Sequence, residues 1–264
     1  MRIKSGDAEI AYEVLGKGSE VVLLHPFPAN SGIWQPAAEL LASRYRVILP
    51  DLRGHGDSTP GDGPATMDKH AADLVRVCDD AGVSRAVFVG VSIGGYVLFE
   101  FWRRHRERVA ALGLSDTRAA ADTEEARNLR LNAADDVEKH GPDDFIAAQV
   151  PRLLGESTLS ARPDLIDRAR EMMRKMTVKG IAAAQRGMAA RPDSTSTISS
   201  INVPTLLVFG DEDRLTTPAE GRTMQQAIAG SSFHLIPRAG HYAVFERHED
   251  AVRILRPWLD SLHW

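Results

Sequence analysis

The chain has 264 residues and a net charge of −4, with acidic and basic residues intermixed along its length. This length is enough to bury the core of one α/β domain that carries an insertion. The absence of net positive charge argues against a nucleic-acid partner. No apolar run is long enough to cross a bilayer, so we expect no membrane partner either.

The single cysteine, Cys78, excludes an internal disulfide and fits a reducing compartment. Residues 1–7 lack the apolar stretch of a signal peptide. We therefore expect a cytoplasmic protein. Cys78 falls on the apolar stripe of a helix that begins after Thr66, which predicts a buried structural thiol.

The first half of the chain alternates short strands with helices. Strands are predicted at 2–5, 9–15, 21–24, 45–49, 86–89 and 109–114. Several of them are continuously apolar, as strands covered on both faces are. Alternation of this kind predicts an α/β protein with a mostly parallel sheet of eight strands and helices on both faces.

The alternation stops near residue 119. Only helical stretches follow, at 124–140, 143–154, 164–176 and 178–190. A strand at 204–209, a helix at 219–229, a strand at 232–236 and a C-terminal helix complete the chain. We expect a core formed by residues 1–118 and 198–264, with residues 119–197 as a helical lid.

One turn between a strand and a helix has the pattern of a nucleophilic serine. The apolar run at 86–89 enters Gly90-Val91-Ser92-Ile93-Gly94-Gly95, and an unbroken apolar helix follows. A chain that reverses so sharply needs glycines beside the turning residue, which then projects its hydroxyl at the N-terminus of the helix. Ser92 is therefore the candidate nucleophile.

A serine hydroxyl is a weak nucleophile and needs a base that a carboxylate orients. In a sheet of this kind the serine, the acid and the histidine follow one another along the chain. His241 follows the last predicted strand, and Asp211, Glu212 and Asp213 follow the one before it. His241 is therefore the candidate base. Position alone does not decide which of the three carboxylates is the acid.

Two backbone amides are candidates for stabilising the oxyanion of the reaction. One belongs to Ile93, the residue after the candidate nucleophile. The other belongs to the loop after the strand at 21–24, where Pro26 and Pro28 have no N–H group. Phe27 is the residue between them that can donate.

These motifs occur in one order along the chain: His25-Pro26-Phe27-Pro28, Asp51-Leu52-Arg53-Gly54-His55-Gly56-Asp57-Ser58, Gly90-Val91-Ser92-Ile93-Gly94-Gly95, Gly210-Asp211-Glu212-Asp213 and Gly240-His241. On them the chain resembles an α/β-hydrolase of the lidded esterase and lactonase type, over essentially its whole length. The resemblance implies Ser92 as nucleophile, His241 as base and Asp213 as acid. Asp116 is the alternative acid, because some relatives place the carboxylate after the preceding strand.

One loop departs from the common family pattern, in which glycine follows the histidine; here Pro26 follows His25. This form resembles 3-oxoadipate enol-lactonases and cofactor-free perhydrolases. Serine rather than aspartate at position 92 argues against haloalkane dehalogenases and epoxide hydrolases.

We therefore expect a carboxylesterase that acts on a small-molecule ester, with a lactonase as the alternative. A perhydrolase side activity and a slow-turnover ligand receptor are further alternatives. His25, Trp34, Leu215 and Tyr242 are the predicted walls of the substrate pocket. No metal-binding, nucleotide or cofactor motif is present, so we expect neither metal nor cofactor. The oligomeric state does not follow from the sequence.

Overall fold

A computed structural model describes residues 1–263 of the chain. Within that range eight strands form one sheet: β1 (Arg2–Ser5), β2 (Ala8–Leu15), β3 (Glu20–Leu24), β4 (Arg46–Pro50), β5 (Ala86–Val91), β6 (Val109–Ser115), β7 (Thr205–Gly210) and β8 (Ser232–Ile236). Their order across the sheet is β1-β2-β4-β3-β5-β6-β7-β8. β2 is antiparallel to both β1 and β4, and the remaining neighbours are parallel.

The central strands β3, β4, β5, β6 and β7 are largely apolar and buried because both faces of the sheet are covered there. In β3, Val22 and Leu24 belong to one hydrophobic cluster, whereas Val21 and Leu23 belong to the other. Successive side chains of a strand point to opposite faces, so each cluster packs on its own side. The predicted fold class is confirmed.

The helices of the core are α1 (Gln35–Leu41), α2 (Met67–Asp80), α3 (Ile93–His105), α10 (Pro218–Ala227), α11 (Ala243–Glu246) and α12 (His248–Ser261). Of these, α2, α3, α10 and α12 lie where the sequence predicts helices, whereas the short α11 was not expected. α2 packs against α3 on one face, and α1 packs against α12 on the other. Cys78 is buried on α2, as predicted, and burial raises the pKa of its thiol to about 12. Two short 3₁₀ helices, Ser31–Ile33 and Arg106–Arg108, lie in the connections.

Between β6 and β7 the chain is helical: α4 (Glu124–His140), α5 (Asp143–Leu153), α6 (Glu156–Ala161), α7 (Pro163–Arg174), α8 (Val178–Ala189) and α9 (Thr195–Ile198). α4 packs along α8, and α7 contacts both α5 and α6. α6 and α9 were not expected, because each is too short to show an apolar period. The division into core and lid stays a prediction, and Trp264 of the predicted core lies outside the described residues.

Candidate active site

The turn between β5 and α3 holds Ser92 in a conformation that non-glycine residues rarely adopt. Its φ is 53° and its ψ is −114°, a strained geometry typical of functional turns. A Cβ on Gly90 would lie 2.5 Å from the carbonyl carbon of Gly94, and one on Gly94 would lie 2.8 Å from the Leu24 carbonyl oxygen. The glycines are therefore required for the turn to close.

Backbone hydrogen bonds from the neighbouring strand hold this turn in place. The Ser92 amide donates to the Ser115 carbonyl at 3.0 Å, and the Thr117 hydroxyl donates to the Ser92 carbonyl at 2.8 Å. The Ser92 hydroxyl has no hydrogen-bond partner among residues 1–263 and faces a cavity. In hydrolases without substrate, the hydrogen bond between a nucleophilic hydroxyl and its base is often long or poorly aligned.

A buried carboxylate orients the imidazole of His241. Nδ1 of His241 lies 2.8 Å from Oδ2 of Asp213, and both side chains are almost fully buried. Oδ1 of Asp213 accepts hydrogen bonds from the amides of Leu215 at 2.8 Å and Thr216 at 3.1 Å. The Thr216 hydroxyl donates to Oδ2 at 2.6 Å. Nδ1 is thus engaged, which leaves Nε2 for proton transfer.

The pKa of Asp213 agrees with a carboxylate that orients the His241 ring. Burial by itself raises the pKa of Asp213, but the His241 ring and the hydrogen bonds from Thr216 and Leu215 outweigh it, so that its pKa falls below the ordinary value. Asp213 is therefore a carboxylate at neutral pH and can stabilise a protonated His241.

Of the three acids after β7, only Asp213 contacts the imidazole. Glu212 points to the other side, where its carboxylate accepts a hydrogen bond from the Ser157 amide at 2.8 Å. Asp211 is exposed and receives a long hydrogen bond, 3.4 Å, from the Ala239 amide.

Asp116, the alternative acid, is also buried at this edge of the sheet, with a φ of 43°. Its Oδ1 accepts from the Gly210 amide at 2.8 Å and its Oδ2 from the Ser115 hydroxyl at 2.7 Å. Burial, and secondly the charge of Asp213, raise the pKa of Asp116 well above its usual value. It makes no hydrogen bond to His241.

A cavity of about 430 Å³ lies over Ser92 and His241. Its core side includes Phe27, Tyr96 and Leu215, and its outer wall comes from α4, α5 and α8. The helices between β6 and β7 therefore close the cavity from above and shape whatever binds there.

Two backbone amides next to Ser92 and the cavity, those of Phe27 and Ile93, have no hydrogen-bond acceptor within residues 1–263. Ile93 is the first residue of α3, so its N–H has no acceptor within the helix. Phe27 lines the cavity, and its N–H makes no hydrogen bond to the rest of the chain between residues 1 and 263. The Phe27 ring packs against Phe145 of α5, 5.9 Å between centroids, and edge-on against His55 at 5.8 Å.

Of the four predicted pocket walls, Leu215 lines the cavity over Ser92, whereas His25, Trp34 and Tyr242 are not among its lining residues. His25 is fully buried, with its Nε2 accepting from the Leu52 amide at 2.9 Å. The indole of Trp34 donates to the Leu24 carbonyl at 3.1 Å within the core, and Tyr242 is buried in the same hydrophobic cluster. Each follows a strand or loop near the site but turns its side chain into the protein.

The loop at 51–58 is held by a buried ion pair and by hydrogen bonds to the rest of the core. Its Arg53 forms a buried ion pair with Asp73, at 2.8 Å through two nitrogens, and bonds Asp7 at the same distance. Asp51 accepts hydrogen bonds from the amides of Ser31 and Asp57, both at 2.8 Å. These bonds fix the loop beneath the Phe27 segment.

Sequence reasoning missed a clamp on the loop that carries His241. Buried Glu246 accepts hydrogen bonds at 2.9 Å from the amides of Gly240 and Gly155. A Cβ on Gly240 would lie 2.3 Å from the Gly155 nitrogen, so the two segments touch through their backbones. A glycine before His241 indicates that another segment approaches closely. The sequence does not show that this segment is the one at Gly155, 85 residues away.

A family model described as the alpha/beta hydrolase fold matches residues 21–248. The chain belongs to this family. A structure of a thermophilic esterase from Thermogutta terrifontis with malate bound is 39% identical, with a TM-score of 0.97 and coverage of 100% of both chains. The enol-lactonase structure from Burkholderia xenovorans LB400 is 26% identical, with a TM-score of 0.92, and covers 99% of this chain and 100% of that one.

A curated relative is 3-oxoadipate enol-lactonase 1 of Acinetobacter baylyi, 28% identical over 242 residues, or 92% of this chain and 89% of the relative. The predicted family is confirmed, and so is the prediction that this α/β-hydrolase chain is a hydrolase. Among residues 1–263 no helix is long and apolar enough to traverse a bilayer.

Proposed function

We propose that this α/β-hydrolase cleaves small carboxylic esters through an acyl-enzyme on Ser92. The hydroxyl attacks the ester carbonyl while Nε2 of His241 takes its proton, and Asp213 stabilises the imidazolium that forms. His241 then gives this proton to the departing alkoxide. Water, deprotonated by the same imidazole, attacks the acyl-enzyme, and the imidazolium returns this proton to the Ser92 oxygen as the carboxylic acid leaves.

The amides of Ile93 and Phe27 would hold the negative oxygen of the tetrahedral intermediate. A donor of this kind contributes a factor of about 10² to 10³ in kcat in a related reaction. Ile93 begins α3, so the partial positive charge of the helix N-terminus adds to its effect.

One observation carries the proposal. The strained Ser92 turn opens into the same cavity as an imidazole whose other nitrogen lies 2.8 Å from a buried carboxylate. A structural serine has no need of a φ of 53°, and a structural histidine has no need of a carboxylate that stays ionised in the core.

Hydrolysis of 4-nitrophenyl acetate and butyrate by Ser92→Ala and His241→Ala tests the proposal. We expect kcat to fall about 10⁴-fold or more in each, because the residues act as a unit. Ser43→Ala, which removes an exposed hydroxyl outside the cavity, should keep the wild-type rate. A loss below about tenfold in Ser92→Ala would overturn the assignment.

A lactonase is the second candidate. The names of the similar enol-lactonases favour it, and the same Ser92 attack would open a cyclic ester. Initial rates on small lactones beside unbranched esters separate the two. Turnover confined to lactones, abolished in Ser92→Ala, would select the lactonase; fast turnover of unbranched esters would select the carboxylesterase.

A further inference from the structure

Two neutral polar side chains in the wall of the cavity over Ser92 leave hydrogen-bonding groups unused. Tyr96 and Gln185 line this cavity and are each 5% exposed. The Tyr96 hydroxyl has no hydrogen-bond partner within residues 1–263 and is open to the cavity, whereas the equally unpartnered hydroxyl of Tyr242 is enclosed in the core. Polar groups of buried side chains rarely lack a partner, so an unpartnered group at the cavity indicates a place for a ligand.

The ring of Tyr96 is held by a buried cation. Cζ of Arg191 lies 4.2 Å from the ring centroid, a distance at which a cation is attracted to the face of an aromatic ring. Arg191 is itself fixed, because its side chain is 2% exposed, binds Asp122 at 2.8 Å and donates to the Ala120 carbonyl at 2.6 Å. The Tyr96 hydroxyl is therefore presented to the cavity in one position.

The side-chain amide of Gln185 is oriented by a second arginine. Nη1 of Arg130 donates to Oε1 of Gln185 at 3.2 Å. A guanidinium has donors only, so the amide oxygen faces Arg130 and the NH2 group points away from it. This NH2 group has no acceptor in the described part of the chain and is not enclosed, so it is available to a ligand in the cavity.

One carboxylate connects the two side chains. Asp122 binds Nε of Arg130 at 2.6 Å in addition to Arg191. Burial raises the pKa of Asp122, but the two arginines outweigh this effect and lower it, so Asp122 is ionised and holds both cations. Tyr96 and Gln185 are therefore neighbours in the cavity wall, each positioned by one arginine, and they offer a hydroxyl and an amide without net charge.

This pair of side chains lies within reach of Ser92. The Tyr96 amide donates to the Ser92 carbonyl at 3.2 Å, which places Tyr96 one helical turn after Ser92, about 6 Å along the axis of α3. Side chains of a helix tilt toward its N-terminus, so the Tyr96 ring leans toward the Ser92 end of the cavity.

We propose that the Tyr96 hydroxyl and the Gln185 NH2 group form a subsite for a neutral oxygen acceptor of the substrate, an ether, hydroxyl or carbonyl oxygen about four bonds from the scissile carbonyl carbon. This proposal rests on the proposed function, because it places the scissile carbonyl at Ser92. An oxygen of this kind has two lone pairs and can accept from both donors. A methylene group in its place would leave both donors unpaired, which costs free energy and lowers affinity.

Two pairs of uncharged esters that differ only by oxygen in place of a methylene group test this preference. Methyl 4-methoxybutanoate is compared with methyl hexanoate for an oxygen in the acyl chain, and 2-methoxyethyl acetate with butyl acetate for an oxygen in the alcohol. In both pairs the oxygen has the proposed separation from the carbonyl carbon. The quantity measured is the ratio of kcat/KM for the oxygen ester to kcat/KM for the methylene ester.

Tyr96→Phe and Gln185→Met each remove one donor while nearly keeping the size of the side chain. In at least one pair we expect each variant to lower the ratio about fivefold, the effect of one neutral hydrogen bond, mainly by raising KM for the oxygen ester. Tyr96→Phe keeps a ring beside Arg191, so the wall itself should persist. Unchanged ratios in both pairs for both variants would overturn the subsite.

Tyr12→Phe is the matched control, because Tyr12 lies on β2 outside the cavity and its hydroxyl donates to Asp80. It removes the same group and should leave both ratios unchanged. A fall equal to that of Tyr96→Phe would show a general consequence of losing a hydroxyl and overturn the assignment of Tyr96.

Binding of the uncleaved esters to Ser92→Ala, measured by calorimetry, separates this proposal from the proposed function. An oxygen ester that binds Ser92→Ala more tightly than Ser92→Ala/Tyr96→Phe, while its methylene counterpart binds both alike, supports the subsite whether or not Ser92 is the nucleophile. Equal binding of every ester by the two proteins, or binding by neither, would overturn the subsite. Retained esterase activity in Ser92→Ala would instead overturn the proposed function.

Discussion

Two buried aspartates follow neighbouring strands at the same edge of the sheet, Asp116 after β6 and Asp213 after β7. Each accepts backbone and hydroxyl hydrogen bonds, and each is shielded from water. Their pKa values nevertheless move in opposite directions: burial dominates at Asp116, whereas the His241 ring and its companions outweigh burial at Asp213.

The difference shows that a buried carboxylate after a strand is not always placed to orient the His241 ring. Asp213 lies beside the His241 ring, which lowers the pKa of the Asp213 carboxyl and keeps it ionised. Asp116 meets only dipoles and a second carboxylate, so the neutral form is favoured there. The groups around each aspartate, and not the carboxyl group itself, decide whether it is ionised.

Among substitutions at and around the two aspartates, the largest effect is expected from Asp213→Asn. An amide cannot stabilise the imidazolium and can hold His241 in the wrong tautomer, so kcat for 4-nitrophenyl butyrate should fall about 10³- to 10⁴-fold. The loss should be smaller than in Ser92→Ala. A variant within tenfold of the wild type would assign the acid elsewhere.

A smaller loss is expected from Thr216→Val, which keeps the shape of the side chain but removes the hydroxyl that donates to Asp213 at 2.6 Å. This hydrogen bond helps to hold the pKa of Asp213 down. We expect kcat to fall about tenfold, the effect of one hydrogen bond to a charged group. The acid limb of the pH–rate profile should shift toward higher pH. An unchanged profile would show that Thr216 has no part in tuning the pair.

The smallest effect on activity is expected from Asp116→Asn, whose amide oxygen can still accept from the Gly210 amide. We expect kcat to stay within about threefold, because Asp116 makes no hydrogen bond to His241 and would not touch the reacting atoms. A collapse of turnover in this variant, with Asp213→Asn active, would reverse the two roles.

The same variant sharpens the comparison through stability. Because the folded-state pKa of Asp116 is raised, the native protein holds its proton more tightly than the unfolded chain does. Its contribution to stability therefore declines as pH rises above the unfolded value of about 3.9. Asparagine does not titrate, so the Tm of Asp116→Asn relative to wild type should increase between pH 4 and pH 7. A constant or falling difference would show that Asp116 is ionised in the fold.

The fold could be predicted because its signals are local. Continuous apolar runs predict buried strands, and the glycines around Ser92 predict a sharp turn between a strand and a helix. Most element bounds lie within two residues of those expected. The short helix α6 escaped prediction since six residues, Glu156–Ala161, cannot display a helical period.

The site was only partly visible because its decisive contacts are distant in sequence. Asp211, Glu212 and Asp213 differ in direction after a turn, which spacing does not reveal, and family resemblance chose among them. The sequence also does not reveal in which direction a side chain points. Trp34 and Tyr242 are near the site in the chain, but their side chains face the core.

The most direct test of the central claim is to label the nucleophile covalently with a phosphonate, which loses 4-nitrophenolate and stays attached as a mimic of the tetrahedral intermediate. The protein would be treated with a 4-nitrophenyl alkylphosphonate, digested, and analysed by peptide mass spectrometry. The account predicts one stoichiometric phosphonyl group on the peptide that contains Ser92, loss of activity in proportion to labelling, and no label in Ser92→Ala. Full inactivation with the label on another residue, or an active protein after complete labelling of Ser92, would contradict it.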